Sequence, residues 1–312
     1  MQHKSIVWIT GARGFIGRNL APYLTNKGCS VLGLGHGSWA SEDAHRYGVV
    51  YWINGEVNSP NLKQLLKQAS VPEVIYHLAG GSYVSPSFQN PQEDFERTVY
   101  TTAQLLEWIR SDLPEVRLIC ASSAAVYGAG HSCPIRTNAA LNPYSPYGFH
   151  KAMMEMLCRS YVENFGLNIT IIRLFSVYGP GLEKQVIWDI CCKLASDPAT
   201  ITMSGTGNEV RDWLHITDTV RLMTLVGELN RSPIVINGGT GEKTCVSDIV
   251  NMIANTWGSH TNIIFNGKRR LGDPDFLVAD IEKTKALGFS PSVSLQQGIS
   301  ETVAWYKSRL IK

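Results

Sequence analysis

The sequence predicts an α/β fold, in which a doubly wound parallel sheet is followed by a smaller C-terminal α/β lobe. In the first half, short apolar runs such as Ile6–Thr10 alternate with longer segments of helical periodicity. Strands separated by helices imply right-handed crossovers and hence a parallel sheet. After Phe175 the alternation loosens without a long linker. We therefore expect a first domain at 1–174 with about 213–239, and a substrate-binding lobe at 175–212 and 240–312.

The predicted elements follow in order along the chain. Each strand is a short apolar run bounded by turn residues, and each helix repeats its apolar residues at helical spacing. Gly28 and Gly166 each follow a predicted helix, where glycine is favoured. Strands are expected at 6–10, 30–34, 74–78, 117–122, 168–175 and 234–237, and helices at 17–27, 61–68, 91–110, 147–164, 183–195 and 246–257.

The composition excludes several classes of protein. The chain has 28 Lys and Arg against 26 Asp and Glu. This balance leaves no large excess of basic residues for binding nucleic acid or an anionic membrane. No apolar run approaches the roughly 20 residues of a membrane span. The seven cysteines are odd in number and form no C-x-x-C pair, so neither a disulfide framework nor a metal site is predicted. We expect a cytoplasmic protein with reduced thiols.

A glycine-rich loop separates the first predicted strand from the first helix. Gly11 permits a tight turn, Gly14 lets the backbone approach a pyrophosphate, and Gly17 lets the helix pack closely on the strand. The N-terminus of the following helix favours the anion. This context predicts a dinucleotide site whose loop residues are Gly11, Arg13, Gly14, Phe15, Ile16 and Gly17.

The end of the second strand indicates which dinucleotide binds. An acidic residue there would hydrogen-bond the ribose diol of NAD, but the strand runs into Gly35, His36 and Gly37. Without that carboxylate a 2′-phosphate is not repelled, and Arg13 and His36 could face it. We expect NADP(H) in preference to NAD(H), with no metal. Two further loops either line the same cofactor-binding cleft or have only a structural role. They contain Glu56 with Val57, and Leu78, Ala79 and Gly80.

A serine, a tyrosine and a lysine form the candidate catalytic set. Ser122 or Ser123 closes a predicted strand, and Tyr147 and Lys151 share one face of a predicted helix. A nearby ammonium lowers the pKa of a tyrosine, so Tyr147 could exchange a proton near neutral pH. Tyr-x-x-x-Lys alone arises often by chance. Its order after the glycine loop and the serine favours catalysis over an exposed helical pair.

These motifs resemble the extended short-chain dehydrogenase/reductases of the epimerase/dehydratase family, which act on nucleotide-diphosphate sugars. Residues 11–17 match G-x-x-G-F-I-G, and the family triad is matched at Ser123, Tyr147 and Lys151, with 123–128 favouring the second serine. The resemblance implies a Rossmann-type sheet, an acidic residue near the adenine at Glu56, and Lys151 on the nicotinamide ribose. It also implies a homodimer through helices 91–110 and 147–164. Core packing explains the apolar residues of those helices equally well: Leu105, Leu106, Met153, Met156 and Leu157.

Departures from the family narrow the expected reaction. Ala124 and Ala125 stand where sugar 4,6-dehydratases carry Asp-Glu, and Ala125 where GDP-fucose synthase carries a cysteine. Neither alanine can transfer a proton, so dehydration and C3/C5 epimerisation are not expected. Thr98 stands where the family often has an Asn. The water-relay role of that Asn is therefore not expected at this position.

Three later segments resemble phosphate-binding motifs of the family. Residues 173–181 match R-x-F-N-V-Y-G-P-G with Ser176 in place of Asn, residues 211–218 match R-D-[FWY]-[IV]-[HY]-V-x-D, and Arg270 begins a match to R-P-G-D. The resemblance implies that Arg211 and Arg270 bind substrate phosphates, because a guanidinium fork suits phosphate oxygens. The expected substrate-binding residues are Ser176, Lys184, Arg211, Arg270 and Asp273.

The resemblance thus implies an enzyme of nucleotide-sugar metabolism, in surface polysaccharide synthesis. We expect an NADP(H)-dependent oxidoreductase of a nucleotide-diphosphate sugar, specifically a 4-keto-6-deoxy sugar reductase. The alternative is a C4 epimerase or 4-dehydrogenase that retains NAD, although the missing strand-end acid argues against it. A non-enzymatic NADP-sensing regulator is a further alternative, against which the Tyr147 and Lys151 pair argues.

Overall fold

The computed structural model describes residues 5–196, 199–229, 233–268 and 273–311. Its strands are β1 Ile6–Thr10, β2 Ser30–Gly35, β3 Val49–Asn54, β4 Val74–His77, β5 Arg117–Ser123, β6 Ile169–Leu174, β7 Ser176–Tyr178, β8 Thr200–Met203, β9 Val210–Arg211, β10 Trp213–His215, β11 Val235–Gly238, β12 Thr244–Cys245, β13 Asn262–Phe265 and β14 Phe276–Leu277. Its helices are α1 Phe15–Asn26, α2 Ser41–Arg46, α3 Ser59–Gln68, α4 Val84–Gln89, α5 Pro91–Phe95, α6 Thr101–Asp112, α7 Pro146–Phe165, α8 Gln185–Leu194, α9 Ile216–Glu228, α10 Val246–Trp257, α11 Glu282–Ala286 and α12 Leu295–Leu310.

A seven-stranded sheet in the order β3-β2-β1-β4-β5-β6-β11 forms the centre of the fold. The pairs β2/β3, β1/β2, β1/β4 and β4/β5 are all parallel. The strand order reverses between β1 and β4, and in open α/β sheets ligands bind beyond the carboxyl ends of the strands at such a switch point. The predicted doubly wound α/β fold is therefore confirmed, and its topology locates the candidate site after β1, β4 and β5.

Apolar side chains of the strands and helices pack into the core of this sheet. The indole rings of Trp8 on β1 and Trp108 on α6 stack with centroids 5.6 Å apart. Leu32 on β2, Ile75 on β4 and Leu118 on β5 are at most 1% exposed. Complete burial of these strand residues explains why each strand is a continuous apolar run rather than an alternating one.

The chain divides into two compact units. One contains the chain up to Tyr127 with Ala140–Arg173 and Val220–Ile236, and the other contains Gly128–Ala139, Leu174–Thr219 and Asn237–Lys312. The presence of Gly128–Ala139 in the second unit differs from the domain division predicted above, which placed these residues in the first domain. Within the second unit Ile135 forms a parallel bridge with Ala279, and its carbonyl accepts a hydrogen bond of 2.7 Å from Asn237 Nδ2, which holds the segment there.

The second unit has its own apolar core. Helices α8, α10 and α12 pack together around Ile190, Ile253 and Ile299, each without measurable exposure. Strands β8 and β13 pair in parallel beside them. None of the described helices combines the length and the apolar character that a membrane span requires.

The structure differs from the sequence-based elements in two respects. Several elements were not among the predicted ones: the strands β3, β7–β10 and β12–β14, and the helices α2, α4, α9, α11 and α12. The single helix expected at 91–110 is instead α5 and α6, joined by the π-helical turn Glu96–Tyr100. The hydroxyls of Thr101 and Thr102 donate to the carbonyls of Glu96 and Thr98, at 3.0 and 2.6 Å, and so bind carbonyls that a regular helix would use.

Candidate active site

The glycine loop after β1 lies directly against the end of β4. Gly11 has φ of +75°, and a Cβ there would lie 2.8 Å from the backbone nitrogen of Ala79. A Cβ on Gly17 would lie 2.5 Å from the carbonyl oxygen of Ala12. The loop therefore has room for backbone only, which fits the close approach of a dinucleotide pyrophosphate. The predicted residues Leu78 and Ala79 are brought to this loop.

The end of β2 is shaped by an aromatic ring on β3. A Cβ on Gly33 would lie 2.9 Å from Cε3 of Trp52, and a Cβ on Gly35 would lie 3.2 Å from its Cη2. A Cβ on Gly37 would overlap the guanidinium of Arg13. The strand therefore ends in glycines because an indole and a guanidinium occupy the adjoining space. Arg13 lies beside this strand end, and both Arg13 and His36 are exposed.

Glu56 and Val57 differ in their environment. Val57 is buried at 5% exposure in the core, whereas the Glu56 side chain is exposed. The backbone nitrogen of Gly55 donates to the carbonyl of Gly35 over 2.9 Å, which brings this segment next to the end of β2. The placement is compatible with the predicted cofactor role of Glu56, while Val57 has a packing role.

The two candidate serines at the end of β5 point to different partners. Ser122 Oγ donates to Glu155 Oε1 over 2.6 Å in the core, whereas Ser123 hydrogen-bonds the side chain of Tyr147. Tyr147 lies in the first turn of α7, which begins at Pro146 directly after the N-cap Ser145. The structure thus brings Ser123, Tyr147 and Lys151 together and gives Ser122 a structural partner.

Burial sets the proton affinities of the tyrosine and the lysine. It raises the pKa of Tyr147 to about 12, against the hydrogen bond with Ser123, which lowers it, and with a smaller contribution from the charge of Asp94. Burial likewise lowers the pKa of Lys151 to about 8. Lys151 Nζ donates to the carbonyl of Ala121 over 2.9 Å and lies 5.9 Å from the centre of the tyrosine ring. Burial therefore outweighs the lowering of the tyrosine pKa that was expected from this ammonium.

Polar groups missed by the sequence analysis surround this set. His77 lies between the hydroxyls of Thr10 and Thr102, at 2.7 and 3.0 Å, and its burial, with the charge of Lys151, lowers its pKa to about 3. Glu155, one turn after Lys151, forms an ion pair with Arg173 in which both side chains are 1% exposed. The residues of each contact are far apart in the chain, so no local sequence motif could have identified them.

The predicted substrate residues in the second unit are only partly brought together. Arg211 Nη2 lies 3.4 Å from Asp273 Oδ1. The backbone nitrogen of Ser176 donates to the carbonyl of Asp212 over 2.9 Å. Lys184 is partly buried, which lowers its pKa to about 8, and it precedes Gln185, whose φ of +67° is rare for a residue other than glycine. Arg270 lies outside the described residues.

The model of the NAD dependent epimerase/dehydratase family matches residues 7–239. The chain belongs to this family. A UDP-glucuronate 4-epimerase of Thermodesulfobacterium geofontis is 28% identical, with 97% of this chain and 96% of the relative covered. Among solved structures, MoeE5 in complex with UDP-glucuronic acid and NAD has a TM-score of 0.87 at 29% identity, covering 98% of this chain and all of the other. The UDP-glucuronic acid 4-epimerase from Bacillus cereus, with UDP-glucuronic acid and NAD, has a TM-score of 0.88 at 28% identity, covering 97% and 99%.

Membership of the epimerase/dehydratase family confirms the resemblance drawn from the motifs. It does not support the finer expectations. The solved structures named above hold NAD, so the expected preference for NADP(H) has no support from them. The proteins named above that carry an enzyme name are 4-epimerases, and nothing found among them supports a 4-keto-6-deoxy sugar reductase. In the described residues no group of three His, Cys, Asp or Glu side chains could hold a metal ion.

Proposed function

We propose that this protein is a C4 epimerase of a UDP-sugar that uses bound NAD. The observation that carries the proposal is the contact of Ser123 with Tyr147, beside Lys151. In the sequence, Ser123 is followed by two alanines. Such a site can move a proton between a hydroxyl and a carbonyl oxygen, but Ala124 and Ala125 offer no acid or base for eliminating water. The full-length similarity to 4-epimerases supports this choice over the reductase expected from the sequence.

Each residue of the set has one task in this reaction. Bound NAD supplies the chemistry of accepting a hydride from C4 and returning it to the opposite face of the same carbon. Tyr147 takes the proton of the C4 hydroxyl and gives it back, so that no proton or hydride is gained or lost overall. Ser123 holds the oxygen at which this proton moves. Lys151 would hold the ribose hydroxyls of the bound nucleotide, and its ammonium would favour the phenolate of Tyr147.

The remaining assignments are carried by the resemblance. We assign the phosphates of the substrate to Arg211 and its ribose to Asp273, whose side chains lie 3.4 Å apart, and place Ser176 and Lys184 in the same role of substrate binding. We also propose a homodimer through α5, α6 and α7. Leu105 and Leu106 are fully buried in the core of the monomer, so the dimer surface would consist of other residues of these helices.

The test is to incubate the purified protein with UDP-glucose, UDP-glucuronic acid and UDP-N-acetylglucosamine in turn, without added cofactor. We expect one of them to be converted to a mixture with its C4 epimer. Repeated in deuterated water, the reaction should leave C4 without deuterium, because the hydride returns to its own carbon. Absence of epimerisation with all three, in protein shown to contain NAD, would contradict the proposal.

A second candidate is the NADPH-dependent reduction of a nucleotide-linked 4-keto sugar. It is favoured by one observation: Arg13 lies over Gly37, at a strand end that has no carboxylate. The discriminating measurement is the dissociation constant of NADPH against that of NADH on cofactor-stripped protein. Tighter binding of NADPH, with consumption of a 4-keto-6-deoxy sugar, would replace the epimerase by the reductase.

A further inference from the structure

A nearly buried acid–imidazole pair lies beside the candidate catalytic lysine. Asp94 Oδ2 and His150 Nδ1 are 2.6 Å apart, and the two side chains are 8% and 12% exposed. Asp94 is on α5, and His150 directly precedes Lys151 on α7. The ring of Phe95 packs edge-on against the imidazole with centroids 5.6 Å apart. The mechanism above gives this pair no task.

The carboxylate of Asp94 and the ammonium of Lys151 both lie close to the two glycines that follow β4. A Cβ on Gly81 would overlap Asp94 Oδ1, and a Cβ on Gly80 would lie 3.5 Å from Lys151 Nζ. The backbone nitrogen of Gly81 donates to Thr98 Oγ1 over 2.8 Å, which fixes this short segment. The carboxylate of Asp94 and the ammonium of Lys151 therefore flank the same two residues.

The other titratable groups that face Lys151 are either neutral or raise its pKa less than Asp94 does. Glu155 is bound through both oxygens to Arg173, at 2.6 to 3.1 Å, and also accepts from Ser122. Cys120 and Cys158 lie 3.8 Å apart in the core, where their mutual contact and burial raise the pKa of the Cys158 thiol. His77 and Tyr147 are neutral at physiological pH, because burial lowers the pKa of the first and raises that of the second.

We propose that Asp94, held in place by His150, is a positioning residue that supplies the negative charge opposite Lys151. The inference rests on the proposed function only for its consequence in catalysis. In a buried site the pKa of a lysine without an opposing charge falls further, so more of the lysine is neutral at physiological pH. A neutral amine would bind the ribose hydroxyls more weakly and would not stabilise the phenolate of Tyr147. His150 matters because its hydrogen bond keeps the carboxylate on the side of Gly81.

The charge on Lys151 can be measured without any assay of turnover. We would label the protein with 13C-lysine, saturate it with NAD, and follow the Cε resonance of Lys151 against pH, assigning it by its loss in Lys151→Met. Removing the charge in Asp94→Asn, which still accepts a hydrogen bond from His150, should lower the titration midpoint by about one unit or more. Asp94→Ser, a smaller neutral residue, should do the same if the amide is not tolerated.

Two matched variants separate the charge from general disturbance. Asp94→Glu retains a carboxylate and should bring the midpoint back toward that of the parent protein. Glu93→Gln removes the neighbouring carboxylate, which pairs with Arg97 at the surface, and should leave the midpoint unchanged. An unchanged midpoint in folded Asp94→Asn or Asp94→Ser would overturn the inference.

The outcomes for this pair and for the proposed reaction remain distinguishable. If the midpoint falls in Asp94→Asn while the parent protein epimerises no UDP-sugar, the positioning role stands and the proposed function fails. If the parent protein epimerises a UDP-sugar and the midpoint does not move, the function stands and the positioning role fails. When both hold, the pH profile of kcat in Asp94→Asn should shift with the lysine midpoint, and KM should change less.

Discussion

The two faces of helix α7 are opposite in character to those of an ordinary surface helix. On the inner face Tyr147, Lys151 and Glu155, spaced four residues apart, are 8%, 5% and 1% exposed. On the outer face Met153 and Met156 are 42% and 68% exposed. A surface helix normally buries its apolar stripe and exposes its charges, so each face of α7 calls for its own explanation.

The inner face shows what burial of polar groups demands. Each of its three polar side chains has a specific partner: Ser123 for Tyr147, the carbonyl of Ala121 for Lys151, and Arg173 for Glu155. Buried polar groups without partners are costly, so such a face is maintained only by a surrounding network. The outer face has no such demand and offers apolar surface to another molecule. Under the proposed homodimer, the reactive residues and the assembly surface would lie on opposite sides of one helix.

The largest expected effect comes from removing the phenol on the inner face. Tyr147→Phe keeps the ring but loses the group that carries the proton, so we expect kcat for epimerisation to fall by about 10² to 10⁴. The ring still fills its site, so the melting temperature should change little. Turnover of the UDP-sugar identified above, measured with Ser122→Ala as the control for a nearby hydroxyl, checks this. Full activity in Tyr147→Phe would remove the tyrosine from the mechanism.

The next largest effect is a loss of stability expected when the buried ion pair of Glu155 and Arg173, one helical turn after Lys151, is broken. Arg173→Met would leave the Glu155 carboxylate buried without its cation, and we expect a loss of about 3 to 5 kcal/mol in the free energy of unfolding. Arg159→Met, at an exposed position of the same helix, should change that free energy by about 0.5 kcal/mol or less. Denaturant titration measures both.

The same pair permits a sharper experiment. Replacing both charges, in Arg173→Met with Glu155→Leu, should recover most of the lost stability, because an apolar pair can replace a buried ion pair. If the double variant is no more stable than Arg173→Met, the loss comes from packing and not from the unpaired carboxylate.

Sequence reasoning succeeded where the signal is local and was incomplete where it is not. The strand–glycine–helix pattern at 11–17 and the spacing of Tyr147 and Lys151 each lie within a few consecutive residues, so short-range rules were enough to find them. The partners Asp94 and His150, or Glu155 and Arg173, come from different elements and meet only in the folded chain. The same holds for Trp52, whose strand was not predicted and whose ring explains the glycines at the end of β2.

A pH-dependent effect, smaller per pH unit than the loss in Arg173→Met, is expected from His77, whose pKa Lys151 helps to lower. Its folded pKa of about 3 lies below the unfolded value of 6.5, so between these values the unfolded chain binds more protons. Stability therefore rises with pH across this window, by about 1.4 kcal/mol per unit from this residue. Urea titrations at several pH values should show a shallower slope in His77→Gln. The exposed His45→Gln should keep the parent slope.

The smallest effect on stability is expected on the outer face, where the consequence is for assembly. Met153→Glu with Met156→Glu places charges on exposed positions, so the monomer should change in stability by about 0.5 kcal/mol or less. A dimer that buries this face would be disrupted, since desolvating two unpaired carboxylates is costly. Sedimentation should then show a dimer for the parent protein and a monomer for the double variant. Ile264→Glu, at an apolar residue 45% exposed in the second unit, should remain dimeric. A parent protein that is monomeric at micromolar concentration would remove the dimer from the explanation of this face and leave its methionines without a partner.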